Sequence, residues 1–295
     1  MKILFIGTVE FSARALEKLL QINADIVGIV TRKESKINSD FIDLSPMGKE
    51  FGIPTRYTKN INDTETLAWI RELDADILMC FGWSELIKKE LLEIPPMGVV
   101  GFHPALLPNN RGRHPLIWAK ILGLEKSGNT FFLMDEGADT GDILSQRSFV
   151  ITENDDARSL YKKMVALAMI QIPELHEQLK SGDCPRYPQF RDAGNYWRKR
   201  TRNDGLIDFR MSTQLICNLV RALTKPYAGA HLSIGGNNYS VWKVEKGERL
   251  SLPANIEPGK ILRIEGNKIE VKTGNGSVWL VDHEIKDLEL VGRFL

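Results

Sequence analysis

Apolar runs of strand length alternate with helical patterns through the first half of the chain. The runs are KILFIG (2–7), DIVGIVT (25–31), DILMCFG (76–82), MGVVGFH (97–103) and NTFFLMDE (129–136). Between them, apolar residues recur every three or four positions in FSARALEKLL (11–20), TETLAWIREL (64–73), SELIKKELL (84–92) and HPLIWAKIL (114–122). This alternation predicts an α/β fold with a doubly wound, mostly parallel sheet. Functional side chains are then expected beyond the carboxyl ends of the strands.

One long helix is predicted after the fifth run, from Asp155 to Lys180. Asp155 and Asp156 are candidate N-terminal caps, and Gly182 is a candidate stop because glycine readily adopts the backbone that ends a helix. The predicted buried stripe consists of Leu160, Met164, Leu167, Ile170 or Ala168, Leu175 and Leu179.

A polar connector, from Asp183 to Asn203, leads into a region with a different pattern. There, DFRMSTQLICNLVRAL (208–223) has the periodicity of one amphipathic helix. Short strand-like runs separated by Gly or Asn follow: AHLSIG (230–235), NYSVWKVE (238–245), GKILRIEG (259–266), KIEVKTG (268–274) and SVWLVDH (277–283). Such strands predict a small β-barrel, OB-like, or a sandwich. We expect a catalytic domain with its connector at 1–203 and a β-rich barrel domain at 204–295.

The composition excludes several classes of protein. Thirty-nine basic and 38 acidic residues leave a net charge of +1, so no overall field gathers nucleic acid. The three cysteines form no C-x-x-C pair that would indicate a metal or redox site. The apolar run at the start of the sequence is too short for a signal peptide or a membrane span, so a cytoplasmic protein is expected.

Two short segments carry the candidate chemistry. His103 ends the fourth predicted strand and begins HPALLPNNRG (103–112), and Asp139 begins DTG (139–141) after the fifth. A histidine and a carboxylate at strand ends can together move a proton. In this order and spacing, the two segments resemble the formyltransferase family. The resemblance extends along the whole chain through GTVEFS (7–12), NDGLIDF (203–209) and VRALTKPYAGA (220–230).

The resemblance implies a Rossmann-like catalytic domain that transfers a formyl group from N10-formyltetrahydrofolate to an amine. An amine that attacks a formyl carbon creates an oxyanion and sheds a proton, so the site needs a charge stabiliser and a base. The family pattern gives these tasks to His103 and Asp139, with the carboxylate fixing the imidazole ring directly or through water. No metal is required.

Gly101 departs from the family pattern, which is Asn-x-His-x-Ser-Leu-Leu-Pro. The family's asparagine would donate a hydrogen bond to the formyl oxygen, and losing one such donor costs about 10²–10³ in turnover. Three explanations are open: another donor, a protonated His103 acting largely alone, or a protein that binds without catalysing. The candidate replacement donors are Asn109, Asn110 and Asn129. On this alignment, Gly101→Asn should leave activity unchanged or raise it.

The folate pocket implied by the family lies after the strand that ends in Gly82. Phe81, Trp83 and Leu86 are the candidates there, and Gly137, Ala138 and Thr140 would complete the pocket on its far side. Core or rim packing is an equally weighted explanation for the first three residues.

The acceptor is expected to be a small amine rather than tRNA. The segment 32–50 mixes signs where tRNA-specific relatives carry a basic loop. Arg113 resembles a residue of sugar-nucleotide relatives that contacts a diphosphate, and arginine forks suit diphosphate oxygens. Arg111 and Arg200 are the other expected substrate contacts, although a solvated basic linker explains Arg200 as well.

These observations favour formyl transfer to a nucleotide-linked amino sugar, a 4-amino-4,6-dideoxyhexose for surface polysaccharide such as the lipopolysaccharide O-antigen. The alternatives are methionyl-tRNA formylation, hydrolysis of formyl-folate, and a weakened folate or nucleotide-sugar binding protein. The expected partners are folate and the nucleotide sugar, without membrane contact, and a homodimer is left open.

Overall fold

The computed structural model describes residues 1–35, 40–190, 192–248, 253, 255–286 and 294–295. These residues form two compact units. The first consists of Met1–Pro115, Ser127–Phe149 and Lys162–Trp197, and the second of Leu116–Lys126, Val150–Tyr161 and Arg198–Leu295. Neither unit is one continuous stretch of chain, whereas the expected domain boundary between residues 203 and 204 is a single cut. That boundary stays a prediction.

A mostly parallel sheet forms the centre of the first unit. The strands of this part of the chain are β1 (Lys2–Ile6), β2 (Asp25–Thr31), β3 (Thr55–Tyr57), β4 (Ile77–Cys80), β5 (Val99–His103), β6 (Arg111–Gly112), β7 (Lys126–Leu133), β8 (Ile143–Val150) and β9 (Tyr196–Trp197). The main sheet has the order β3-β2-β1-β4-β5-β7-β8, and β6 pairs with β9. Strands β1 to β5 are parallel, while β7 runs antiparallel to β5.

Each of the five predicted runs overlaps a strand, and the α/β prediction is confirmed. The strands that the pattern missed lack a continuous apolar run. β3 has three residues, and β6 and β9 have two each. β8 is mostly exposed at the edge of the sheet, and polar residues interrupt its apolar positions.

The helices of the first half are α1 (Glu10–Gln21), α2 (Ser45–Glu50), α3 (Thr64–Glu72), α4 (Lys89–Leu92) and α5 (Pro115–Ile121). α4 is shorter than the predicted helix at 84–92, because Arg32 pairs with Glu85 at 2.6 Å and Asn62 donates to the Leu86 carbonyl at 3.0 Å. These contacts hold the first part of that segment as a loop. No helix in the described ranges has the length and apolarity of a membrane span.

The predicted long helix is α6 (Ala157–Ser181), and Asp156 is its cap, accepting from the Ser159 N–H at 2.8 Å. Gly182 follows the helix with a left-handed φ of 81°, as a stop residue should. Of the two alternatives for the stripe, Ala168 is buried and Ile170 is exposed. The other stripe residues are buried, apart from the half-buried Leu167.

Aromatic packing fixes the face of β5 opposite His103. The Phe102 ring stacks on Phe11 of α1 at 4.1 Å between centroids and packs on Phe131 at 4.9 Å. Phe81 meets Phe131 edge to face at 5.4 Å. Edge-to-face and stacked pairs of this kind add to the apolar burial that holds helix and sheet together.

The second unit contains an antiparallel sheet with the order β10-β11-β14-β13-β12. Its elements are a 3₁₀ turn (Arg202–Gly205), α7 (Thr213–Leu223), β10 (Ala230–Ile234), β11 (Asn237–Lys246), β12 (Ile261–Glu265), β13 (Lys268–Lys272) and β14 (Ser277–His283). α7 begins later than predicted, because Ser212 caps it and Asp208 binds Arg210 in a turn before it. Closure into a barrel stays a prediction.

The basic groups of Lys120 and Arg221 tie the inserted segments into the second unit. The Lys120 ammonium donates to the carbonyls of Thr152 and Glu153, at 3.0 and 2.9 Å, and Arg221 donates to the same Glu153 carbonyl. Burial lowers the pKa of Lys120. These contacts bring residues 116–126 and 150–161 together with α7, which a boundary drawn on a continuous chain cannot anticipate.

The cysteines should differ in their reaction with a thiol reagent. Burial raises the pKa of Cys80 to about 12 and also raises those of Cys217 and Cys184, but Cys184 is partly exposed whereas the other two are buried. Because the thiolate is the reacting species, the folded protein should be alkylated at Cys184 and at the other two only after unfolding. Peptide mass mapping measures this order. Fast labelling of Cys80 in the folded protein would contradict the packing around β4.

Candidate active site

His103 and Asp139 meet at the carboxyl end of β5. His103 is the last residue of that strand and only 4% exposed, and Asp139 lies in the loop between β7 and β8. The imidazole Nδ1 is 3.6 Å from the Asp139 Oδ2. This distance is longer than a hydrogen bond but short enough for the carboxylate to stabilise a charged ring. The structure therefore brings together the pair on which the predicted chemistry depends.

A backbone carbonyl fixes the tautomer of His103. The imidazole Nε2 lies 2.7 Å from the carbonyl oxygen of Asn110. A carbonyl can only accept a hydrogen bond, so Nε2 carries the proton and donates it. In the neutral ring, Nδ1 therefore holds a lone pair, and this lone pair faces Asp139. The ring is oriented as a base at Nδ1.

Asp139 is held in an unusual backbone conformation by several contacts. Its φ of 60° lies in the left-handed region, which costs energy for residues other than glycine. The Gly112 N–H donates to its Oδ2 at 2.9 Å. Its carbonyl oxygen accepts from Arg111 Nε at 3.2 Å and from Gln189 Nε2 at 3.1 Å. The position of the carboxylate is thus set by β6 and by the connector.

The space beside Gly101 is filled by apolar side chains. Gly101 lies on the same face of β5 as His103, and its partner in register on β7 is Phe132. A Cβ added to Gly101 would lie 2.9 Å from the Phe132 Cζ and 2.9 Å from the Met134 Cγ. Such distances require a neighbour to move. The expectation that Gly101→Asn leaves activity unchanged or raises it stays a prediction, and the crowding around Gly101 weighs against it.

The structure separates the three candidate replacement donors. Asn129 is fully buried and gives its amide to the Met164 carbonyl at 2.8 Å. Thr130, the next residue of β7, is in register with His103, and successive residues of a strand point to opposite faces of the sheet. Asn129 therefore faces away from His103, and its proposed role as a donor was wrong. Asn109 is exposed, whereas Asn110 is half-buried and already touches His103 through its carbonyl.

Arg111 is buried and belongs to the framework of the site. It is 0% exposed, so the prediction that it contacts substrate was wrong. Its guanidinium donates to Gln189 Oε1 at 2.8 Å, to the Ala193 carbonyl at 3.1 Å and to the Asp139 carbonyl. It also lies 5.4 Å from the Tyr196 ring. The motif alone cannot show whether an arginine at this position is buried or exposed, because burial depends on the residues that pack around it.

Arg113 and Arg200 have different surroundings. Arg113 is exposed, and one of its guanidinium nitrogens donates to the Ser84 carbonyl at 3.2 Å. Arg200 belongs to the second unit, where it is partly buried 6.0 Å from the Trp118 ring. Burial lowers the pKa of Arg200. The predicted substrate contacts of both residues stay predictions.

Of the predicted folate residues near β4, Phe81 is a core residue. Its ring is 0% exposed, its N–H donates to the Ile6 carbonyl, and its own carbonyl accepts from Ser12. The assignment of Phe81 to the pocket was therefore wrong, and the packing explanation holds. Trp83 is partly buried under the Arg32 guanidinium at 4.6 Å, and Leu86 is 58% exposed.

A cavity of about 620 Å³ opens beside the Asp139 loop. It is lined by Asp135, Glu136, Gly137, Thr140 and Tyr196. It brings together Gly137 and Thr140 of the predicted set, and Ala138 is exposed next to them. Asp135 accepts from the Gly137 N–H at 3.0 Å and from the Thr140 hydroxyl at 2.6 Å. The Asp-x-Gly spacing could have indicated this turn, whereas nothing in the sequence pattern indicated Tyr196 or Gln189.

Comparisons with known families and proteins agree on one enzyme class. Residues 1–175 match the formyl transferase family, and residues 199–290 match the formyl transferase C-terminal domain. A methionyl-tRNA formyltransferase from Geobacter metallireducens is 32% identical over 297 residues, which cover 99% of this chain and 92% of that protein.

Solved structures give the same fold at low identity. An N-formyltransferase from Helicobacter canadensis, in complex with folinic acid and dTDP-3-aminofucose, has a TM-score of 0.73 at 18% identity, covering 95% of this chain and 98% of its own. HypX from Aquifex aeolicus, in complex with tetrahydrofolic acid, has a TM-score of 0.66 at 20% identity over 100% of this chain. This chain spans only 47% of HypX.

Gly101→Asn should destabilise the protein. Forcing a side chain between Phe132 and Met134 should lower the free energy of unfolding by about 1–3 kcal/mol. Denaturant unfolding measures the loss, and Gly101→Ala reports the cost of the Cβ alone. Because leucine lacks the clashing ring atoms, the double variant Phe132→Leu/Gly101→Asn should recover part of the lost free energy of unfolding. Phe132→Leu alone is the control. An asparagine variant as stable as the original would contradict the packing described.

Proposed function

Since the chain belongs to the formyl transferase family and is a formyltransferase, we propose that it moves the formyl group of N10-formyltetrahydrofolate to a nucleotide-linked amino sugar. The observation that carries the chemistry is the buried His103, with Nε2 bound to a carbonyl and Nδ1 turned towards Asp139. This geometry suits a step in which a neutral amine loses a proton.

The cavity beside Asp139 fits the folate. Its volume of about 620 Å³ lies within the usual range for sites that hold a small ligand. The carboxylates of Asp135 and Glu136 can accept hydrogen bonds from the N–H groups of a pterin ring, and Tyr196 offers a partly exposed aromatic face. When bound, the folate supplies the electrophilic formyl carbon.

The residues of the site would divide the proton transfer between them. As the amine nitrogen bonds to the formyl carbon, Nδ1 of His103 accepts the proton that the amine releases, while the Nε2–H keeps its bond to the Asn110 carbonyl. The bond from the formyl carbon to N10 then breaks, and the imidazolium returns the proton to N10, which leaves as tetrahydrofolate. The Asp139 carboxylate, 3.6 Å away, stabilises the imidazolium that forms. Because His103 is only 4% exposed, bulk water competes little for the proton.

We assign the missing oxyanion donor to Asn110. The space at Gly101 is occupied by Phe132 and Met134, and Asn129 is bound to Met164 on the other side of the sheet. Asn110 is next to His103 and has a left-handed φ of 65°. The imidazolium of His103 would share the charge with it.

Three observations support a small acceptor over tRNA. Arg32 begins the segment 32–50 and is engaged by Glu85 and Trp83, so it is not offered to a phosphate. Asp43 adds a negative charge to the same segment. Residues 36–39 of this segment lie outside the described part. Arg113 is exposed and can present its guanidinium fork to a diphosphate. A 4-amino-4,6-dideoxyhexose remains our proposed sugar.

Methionyl-tRNA is the second candidate acceptor. The observation in its favour is that a methionyl-tRNA formyltransferase aligns over nearly the whole chain at 32% identity. A tRNA acceptor would require several phosphate contacts, so its binding should weaken steeply as salt increases.

An acceptor panel distinguishes the two candidates. The purified protein is incubated with N10-formyltetrahydrofolate and either dTDP-, UDP- and GDP-linked amino sugars or methionyl-tRNA, and tetrahydrofolate release is followed. We expect turnover with an amino sugar and a loss of about 10²–10⁴-fold in His103→Gln, because the base is removed. Turnover with methionyl-tRNA alone would contradict the proposed acceptor, and full activity of His103→Gln would contradict the mechanism.

The oxyanion assignment is tested with Asn110→Gly, since glycine keeps the left-handed backbone while removing the amide. We expect kcat to fall by about 10²–10³-fold. Asn23→Gly is the matched control: Asn23 also has a left-handed φ, 55°, but it precedes β2, at the amino end of that strand. The assignment is wrong if Asn110→Gly keeps its kcat, or if Asn109→Gly is the variant that loses it.

A further inference from the structure

The connector is built into the first unit rather than lying over it. We call residues 187–197 the connector segment; residue 191 is outside the described part. Tyr187 exchanges two backbone hydrogen bonds with Ile143, both at 2.9 Å. Farther along, β9 pairs with β6, and the Asn110 N–H donates to the Asn195 side chain at 2.9 Å. The segment therefore runs along the loop that follows His103 and the loop that carries Asp139.

Gln189 lies in the middle of this segment, and its amide is fully used. Its Nε2 donates to the carbonyls of Asp139 at 3.1 Å and Gly141 at 2.6 Å. Its Oε1 accepts from Arg111 Nη2 at 2.8 Å and Nε at 3.3 Å. One side chain thus links the buried guanidinium to both ends of the turn that contains Asp139.

The chemistry of the partners fixes the orientation of this amide. A guanidinium can only donate, so the amide oxygen must face Arg111. The two carbonyls can only accept, so the NH₂ group must face Asp139 and Gly141. The reversed amide would place donor against donor and acceptor against acceptor. The amide of Gln189 therefore has one possible orientation. Asparagine carries the same amide group, but its side chain is shorter.

Asp139 needs such support because its left-handed backbone is not the preferred state of an aspartate. If the turn relaxed, the carboxylate would leave both the Gly112 N–H and the face of His103 Nδ1. A misplacement of about 1 Å in a catalytic group can cost up to about 10²-fold in rate.

We propose that Gln189 is a positioning residue for the reaction: with its amide oriented by Arg111, it holds the Asp139 turn directly through Nε2, so that the connector segment forms part of the catalytic apparatus. The inference rests on the roles proposed above for His103 and Asp139. It adds a residue that acts through Asp139 without touching the substrate.

Gln189→Glu separates this role from simple anchoring. The glutamate keeps acceptors for Arg111 but loses both donors, and it turns an oxygen towards the carbonyls of Asp139 and Gly141. The connector segment should stay attached while the turn is released. Gln178→Glu makes the same chemical change at an exposed position of α6 and serves as the matched control.

The first readout does not depend on the acceptor. Nitrogen-15 NMR of histidine-labelled protein reports the Nδ1 signal of His103, assigned by its absence in His103→Gln. In Gln189→Glu this signal should shift as it does in Asp139→Asn, and the double variant should show no further shift. An Nδ1 signal at its original position in Gln189→Glu, with a lowered Tm, would overturn the inference and leave Gln189 a structural residue.

The second readout uses the acceptor that proves active. Gln189→Glu should lower kcat by up to about 10²-fold with KM little changed, and it should have no further effect in the Asp139→Asn background. Multiplicative losses would contradict the coupling. If no amino sugar is formylated, the acceptor proposal fails, yet the NMR comparison still decides whether Gln189 positions Asp139.

Discussion

A buried guanidinium is the interaction on which the site depends. Arg111 has no contact with solvent and donates to the backbone and side chains of the connector, while its Nε also reaches the Asp139 carbonyl. Burying a charge is costly unless hydrogen bonds replace its hydration, so these acceptors must stay in place. The next residue, Gly112, donates to the Asp139 carboxylate. Two adjacent residues therefore connect the framework to the catalytic pair.

The same logic explains how the site functions without the expected asparagine. At Gly101, the space is filled by Phe132 and Met134, which makes this wall of the site apolar. In the proposed mechanism, His103 and its neighbour Asn110 polarise the formyl oxygen. The Asn110 carbonyl fixes the ring of His103, so the residue proposed to replace the lost donor also sets the tautomer of the base.

The proposed catalytic pair could be predicted because two motifs in the family's order and spacing carry His103 and Asp139. Convergence of parallel strand ends does not explain it, since β7 is antiparallel to β5 and Asp139 reaches His103 through the loop that follows β7. The errors have physical causes. Arg111 and Phe81 stand in the expected motifs, but burial is decided by what packs around them, and this comes from residues distant in sequence. Asn129 was misassigned because its facing depends on the antiparallel register of β7, which the strand pattern does not give. Gln189 lies 50 positions from Asp139, in a connector without periodicity.

In the proposed reaction, His103 acts as a base at Nδ1. Two-bond nitrogen-to-proton correlation NMR distinguishes the two neutral tautomers of a histidine directly. Because the Asn110 carbonyl can only accept, we expect the neutral ring of His103 to carry its proton on Nε2. A neutral ring protonated on Nδ1 would contradict this proposal, since the nitrogen that faces Asp139 would then have no lone pair with which to take the proton of the amine.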